Sequence, residues 1–283
     1  MSSYVEPAPN VSEAWVRTLE HVVASGGHAI NVVSTVTNPL APEDSQVRSA
    51  VDAVLTESER NGVRLQSVDT VAGTIFPCDL YADTGLTYRA DLDGEERVKL
   101  DASAADLYEA YVEMLPLLTT DTANKSGTYF GRMISWPGKT GGGTNQIADR
   151  ITRLRRSFDT KRAQRNLEDI TVGGEAELLE DFAGLQVHAA SDRRERGFPC
   201  LVHVDLTLYR GRLSMAATYR HQYLVTKAYG NLLGLSRLLA FMAQQSGFQV
   251  GEVMVNATFA DAEHGTYTKR GIGELIAAAR TGS

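Results

Sequence analysis

Apolar positions recur with helical period near the start of the chain. Val16, Leu19 and Val23 share one face, Ser12 stands where a cap is needed, and Ser25-Gly26-Gly27 closes the run. The apolar stretch Ala29 to Val33 predicts a strand. Beyond Pro39 and Pro42, Asp44 is placed to cap a second helix carrying Val47, Val51, Val54 and Leu55, which ends near Asn61-Gly62. Residues 63–98 read as strands and turns. A third helix is expected from Asp101 or Ser103, with Leu107, Tyr111, Met114 and Leu115 as its stripe and Pro116 close to its end.

After the glycine-rich loop Gly138 to Thr144, a helix from Asn145 places Ile147, Ile151 and Leu154 on one face. Its other face carries Arg150, Arg153, Arg155 and Arg156. Leu201 to Leu208 alternates, with Val202, Val204, Leu206 and Leu208 opposite His203, Asp205 and Thr207. Arg210-Gly211 fits a hairpin turn into a returning strand, Leu213 to Tyr219. From Asn231 to Gln245 the apolar stripe of Leu232, Leu235, Leu239 and Met242 is widened by Leu233, Leu238 and Phe241. That width predicts a helix buried on most sides.

Composition narrows the function classes. With 43% apolar and 22% charged residues among 283, the chain is globular rather than disordered, collagen-like or disulfide-stapled. Its 28 Lys+Arg against 35 Asp+Glu give a net charge of −7, the wrong sign for a surface that grips nucleic acid as a whole. Only the seven cations from Arg150 to Arg165 form a basic cluster, which reads either as a solvated helix face or as an anion-binding one. The two cysteines, Cys78 and Cys200, lie far apart, and Met1 to Asn10 lacks a signal-peptide pattern, so a cytoplasmic protein with reduced thiols is expected. The longest apolar candidate, Leu232 to Ala243, is broken by Gly234, Ser236 and Arg237, and no membrane span is expected.

Two familiar motifs fail on spacing. Gly138-Lys139-Thr140 has the tail of a phosphate-binding P-loop, but Met133 stands where its first glycine is required. The six histidines are scattered and neither cysteine has a partner at ligand spacing, so no metal is expected.

The region around Cys200 is more specific. Gly197-Phe198-Pro199-Cys200 leads into the alternating strand, and Gly211, Arg220 and Asn231 follow Cys200 by eleven, twenty and thirty-one residues. Met242-Ala243-Gln244-Gln245 and Val250-Gly251-Glu252 continue the register. Upstream come Tyr129-Phe130-Gly131-Arg132, Trp136-Pro137 and Asn145-Gln146-Ile147. This collinear set, covering about half the chain from Gly127 to roughly Glu263, resembles the thymidylate synthase and pyrimidine nucleotide hydroxymethylase superfamily. The resemblance implies one α/β (α+β) domain over residues 1–283, with a sheet packed on a long buried helix and a divergent elaboration at about 38–101. It also implies a homodimer paired through the outer face of the sheet.

The resemblance further implies roles for particular residues. Cys200 would be the nucleophile that adds to C6 of a pyrimidine nucleotide, making C5 reactive toward a one-carbon unit. Arg220 would bind the phosphate and lower the thiol pKa, which is near 8.5 when unperturbed. Asn231 would read the base, an amide there suiting uracil and an aspartate cytosine. Glu113, in Val112-Glu113-Met114-Leu115, takes the place of the family's acid–base glutamate. Gln146, Arg162 and His221 complete the expected substrate contacts, and 5,10-methylenetetrahydrofolate is the implied one-carbon donor.

Several departures are serious. His221 replaces a serine and Tyr223 an aspartate of the family pattern, and Asp261-Ala262-Glu263 stands where the family has a His-x-Tyr pair for the sugar. The N-terminal Arg-Thr-Gly phosphate loop has no counterpart, and the family's folate-closing C-terminal segment is not found after the helix Glu274 to Arg280. Buried ligand groups left unpaired would cost several kcal/mol, so an altered substrate is expected. Transfer of a methyl or hydroxymethyl group to a pyrimidine nucleotide is the leading reading. A non-catalytic nucleotide-binding or regulatory protein on the same fold is the alternative.

Overall fold

The structure is a computed structural model that describes residues 3–60, 65–121, 124–125, 127–136, 143–160, 185–187 and 200–281. It is a mixed α/β protein. Among the described residues six strands form one open sheet: β1 (His28–Val36), β2 (Leu185–Gln186), β3 (Leu201–Tyr209), β4 (Arg212–Tyr219), β5 (Gln222–Tyr223) and β6 (Gln249–Asp261). Their order is β1-β6-β4-β3-β2, with β5 running parallel to the end of β6. β1 and β6 pair antiparallel, from His28 opposite Asp261 to Val36 opposite Val253. Between β3 and β4, Arg210 and Gly211 have φ of 50° and 76°, the two positive values that a tight hairpin matched to strand twist requires.

The residues gather into two compact units. The first comprises Met1–Phe76, Ala217–Arg237 and Glu252–Ser283; the second comprises Pro77–Ala216 and Leu238–Gly251.

In the first unit, α1 (Val11–Ala24) packs on β1. Its cap is Asn10, whose side chain accepts the Glu13 N–H at 2.8 Å, and not Ser12 as expected. The Ser12 hydroxyl is instead engaged by the Asp44 N–H and by Tyr229 Oη, both at 2.8 Å. The outer edge of β1 is covered by the segment before α1, through Val5 N–H to Val33 O and Ala8 N–H to Thr35 O. Asp44 caps α2 (Ser45–Arg60) as expected, accepting from Gln46 and Val47. Helix α3 (Val68–Gly73) corrects the reading of residues 63–98, where no strand occurs among the described residues. Val68, Val71, Ala72 and Ile75 have helical spacing, and the Ser67 hydroxyl accepts the Thr70 N–H.

The second unit is built around α4 (Gly94–Leu118), α5 (Tyr129–Ile134) and α6 (Gln146–Thr160). α4 begins seven residues before the earlier of its two expected starts. Asp93 accepts the Glu96 N–H at 2.8 Å, and Glu95 and Glu96 favour the first turn. On α6 the basic face divides. The Arg150 side chain is buried at 2% exposure, which lowers its pKa to about 10, while Arg156 is exposed. Arg155 lies over the ring of Tyr88, donates to Gln245 and pairs with Asp101 at 2.6 Å. Two of the four arginines are therefore engaged within the protein, which corrects the placement of Arg150 and Arg155 on a solvated or anion-binding face.

Helix α7 (Tyr229–Ser246) and strands β4 and β6 contribute residues to both units. α7 is buried along nearly its whole length, as its wide stripe predicts. It is preceded by one turn of π-helix, Leu224–Ala228, and the last helix, α8 (His264–Arg280), follows β6. Among the described residues no helix is long and apolar enough to cross a membrane.

Candidate functional site

The expected site residues fall on well-defined local structure. In the second unit Cys200 is half-buried at the bend that enters β3, and Gln146 is buried as the first residue of α6. Glu113 lies on the exposed side of α4, between exposed Val112 and Met114. Arg162 lies outside the described residues, as do Gly197, Phe198 and Pro199.

In the first unit Arg220 and His221 occupy the two-residue link between β4 and β5. Arg220 is fixed through its backbone, whose carbonyl accepts the Thr258 hydroxyl at 2.6 Å. Asn231 sits in the first turn of α7 with 4% exposure, and its amide makes no hydrogen bond to any described residue.

The structure adds residues that sequence reasoning did not assign to a site. Along β6 the buried face Val253, Val255 and Ala257 continues at the same parity into Phe259 and then Asp261. Asp261 Oδ1 accepts the Glu263 N–H at 2.6 Å and lies 3.3 Å from His28 Nε2. Its Oδ2 lies 3.7 Å from His221 Nε2. The His221 ring packs on Tyr223 and Phe259, with centroids 4.3 and 5.0 Å away. Burial is the largest influence on His221 and lowers its pKa; Asp261 opposes this, while Arg220 and His28 reinforce it. The imidazole is therefore neutral at neutral pH. The signal available beforehand was the switch of an alternating buried face from aliphatic to aromatic and acidic residues near the end of β6.

Glu263 has a different task. Its backbone is left-handed at φ 59°, and its carboxylate accepts the N–H groups of Val225 and Thr226 and the Thr226 hydroxyl. It thus caps the π-turn between β5 and α7, which positions Asn231. Asp261 and Glu263, where the resemblance has its sugar-binding pair, are both held by groups of the protein itself.

Among the described residues no group of three His, Cys, Asp or Glu side chains is arranged to hold a metal ion. No protein-family model matches the chain, and no curated protein does.

Proposed function

We propose that the protein is a divergent thymidylate synthase-like enzyme that transfers a methyl or hydroxymethyl group to C5 of a pyrimidine nucleotide. The observation that carries this reading is Asn231, an amide with 4% exposure and no hydrogen bond to a described residue. The amide has no partner among the described residues and offers both a donor and an acceptor to a bound base edge. It falls at the offset from Cys200 that the resemblance assigns to base recognition.

In this reading the Cys200 thiolate forms a bond to C6 and the C5–C6 double bond shifts its electrons to C5. C5 would then bond to the methylene carbon of the folate and lose its proton to a base, and cleavage of the carbon–N5 bond would release tetrahydrofolate and leave an exocyclic methylene on C5. Addition of a hydride from the tetrahydrofolate, which becomes dihydrofolate, would give the methyl product, or addition of water the hydroxymethyl product, with the electrons returning to reform the C5–C6 double bond and expel the thiolate. By the resemblance, Arg220 would bind the phosphate. Methylenetetrahydrofolate enters as co-substrate. Self-pairing of this chain as a homodimer belongs to the same proposal.

A second reading rests on Asp261 and Glu263, whose carboxylates are engaged within the protein: nucleotide binding without turnover. Thermal shift with pyrimidine nucleotides, with and without methylenetetrahydrofolate, separates the two. A nucleotide-dependent shift enlarged by the folate supports transfer. A shift indifferent to folate, with no turnover, supports binding alone.

A further inference from the structure

We propose that the π-turn Leu224–Ala228 is a spacer that fixes Asn231 relative to Arg220, and that Trp15 and Glu263 are the positioning residues that keep it from relaxing to an α-turn. The inference rests on the reading above, which gives the phosphate to Arg220 and the base edge to Asn231.

The two ends are anchored separately. Arg220 belongs to the link between β4 and β5, where its carbonyl accepts the Thr258 hydroxyl at 2.6 Å and where β5 pairs with β6. Asn231 rides on α7, whose Gly230 lies so close to α3 that a Cβ there would be 2.7 Å from Val68 O. Asn231 follows Arg220 by eleven residues, and the π-turn lies in the chain between them.

A π-turn closes from residue i to i+5, so it carries one residue more than an α-turn, and such turns are found chiefly at functional sites. Relaxation to α geometry would shift the chain before the turn by one helical step, about 1.5 Å along the axis and 100° around it. Side chains from three other segments oppose that shift. From α1, the indole N–H of buried Trp15 donates to Leu224 O at 2.7 Å. From the residue that opens α8, the Glu263 carboxylate takes the N–H groups of Val225 and Thr226 and the Thr226 hydroxyl. From the segment before α3, Gln66 Oε1 accepts Lys227 Nζ at 2.6 Å. At the exit, Tyr229 Oη and the Ser12 hydroxyl bond at 2.8 Å, and the Tyr229 ring meets that of Trp15 edge-on at 5.7 Å. One contact would be enough to attach a loop. Four successive residues held from outside select a single winding, which is how a sparsely populated backbone geometry persists.

The consequence for binding is specific. A ligand that reaches both Arg220 and Asn231 depends on the spacing between them, because its second contact is made intramolecularly once the first is in place. A ligand that reaches only one of them does not.

Binding titrations of the full chain with uridine 5′-monophosphate and its two halves, uridine and ribose 5-phosphate, test this. Trp15→Phe keeps an aromatic ring and removes the donor to Leu224, and Glu263→Ala removes the second clamp. Each should weaken the nucleotide at least tenfold and each half less than threefold, and Glu263→Gln, which keeps an acceptor for the two amides, should restore the wild-type ratio. Equal weakening of all three ligands, an unchanged affinity for the nucleotide, or no rescue by Glu263→Gln would overturn the proposal. Amide hydrogen exchange at Val225 and Thr226 gives a readout without ligand, and it should be at least tenfold faster in Trp15→Phe. A wild-type protein that binds none of the three ligands removes the nucleotide reading; faster exchange in the variant then keeps the clamped spacer, and unchanged exchange removes that too.

Discussion

Glu263 and Thr226 are joined twice: the carboxylate accepts the Thr226 N–H at 2.8 Å through one oxygen and the Thr226 hydroxyl at 2.9 Å through the other. The Val225 N–H is held by the first of these oxygens as well. Two amides at the start of a π-turn thus depend on one side chain 37 and 38 residues away in sequence. Glu263→Ala should lower stability by about 2–4 kcal/mol, because both amides and the hydroxyl lose their acceptor in a partly buried place. Glu263→Gln keeps an acceptor for the amides and a donor for Thr226 Oγ1, and should cost less than about 1 kcal/mol. Urea denaturation of the two variants checks this.

The same residue has a pH signature of its own. Burial is the largest influence on Glu263 and raises its pKa above the ordinary 4.5, outweighing the three hydrogen bonds. As pH rises from 4.5 the unfolded carboxyl ionises first, so this group's contribution to stability falls until the folded pKa is passed. Glu263→Gln should remove that fall. His221 acts with the opposite slope: its folded pKa lies below the ordinary 6.5, so the unfolded chain takes up the proton first as pH drops. Stability should therefore decline below about pH 6.5, and His221→Asn should flatten the decline. Melting temperatures from pH 4 to 8 resolve the two windows.

Glycines of α7 and α8 should respond in opposite senses. A Cβ at Gly234 would lie 2.7 Å from Ala72 O and 2.9 Å from Ile75 Cβ, and one at Gly230 would lie 2.7 Å from Val68 O. Gly234→Ala should destabilise by about 1–3 kcal/mol through overpacking. Gly273 in α8 has nothing within 4 Å of its would-be Cβ. Gly273→Ala should stabilise by roughly 0.5–1 kcal/mol through helix propensity. Thermal unfolding of the pair gives the sign directly.

Base selection offers a prediction on function. If Asn231 reads uracil, Asn231→Asp should shift preference toward a cytosine nucleotide, because a protonated carboxyl pairs with the cytosine edge as the amide does with uracil. A tenfold or greater change in the ratio of uridylate to cytidylate affinity is expected. An unchanged ratio would detach Asn231 from the base.

What the sequence disclosed follows from how local each signal is. The hairpin was legible because Arg210-Gly211 sits between alternating strands, and α7 because its stripe spans most of the helix circumference. The start of α4 was missed because Asp93 and Glu96 precede the apolar stripe, so the cap lies outside the periodic stretch. Residues 65–98 misled because short apolar runs have no length with which to separate a strand from a helical turn. Arg150 was placed on the basic face, read as solvated or anion-binding, although on α6 it lies three residues from Ile147 and four from Leu154, beside the buried stripe. Asp261 was visible only as a departure from a family pattern. Its relation to His28 and His221 depends on pairing across strands, which no local window contains.

The central claim is that Cys200 forms a covalent bond with a pyrimidine nucleotide. Incubation with a 5-fluoro-pyrimidine nucleotide and methylenetetrahydrofolate, followed by intact-mass and peptide mass spectrometry, tests it most directly. The account predicts a mass gain mapped to Cys200, abolished in Cys200→Ala, which still binds the nucleotide. Bound nucleotide with no mass gain on wild-type protein, or an adduct that persists in Cys200→Ala, would contradict it.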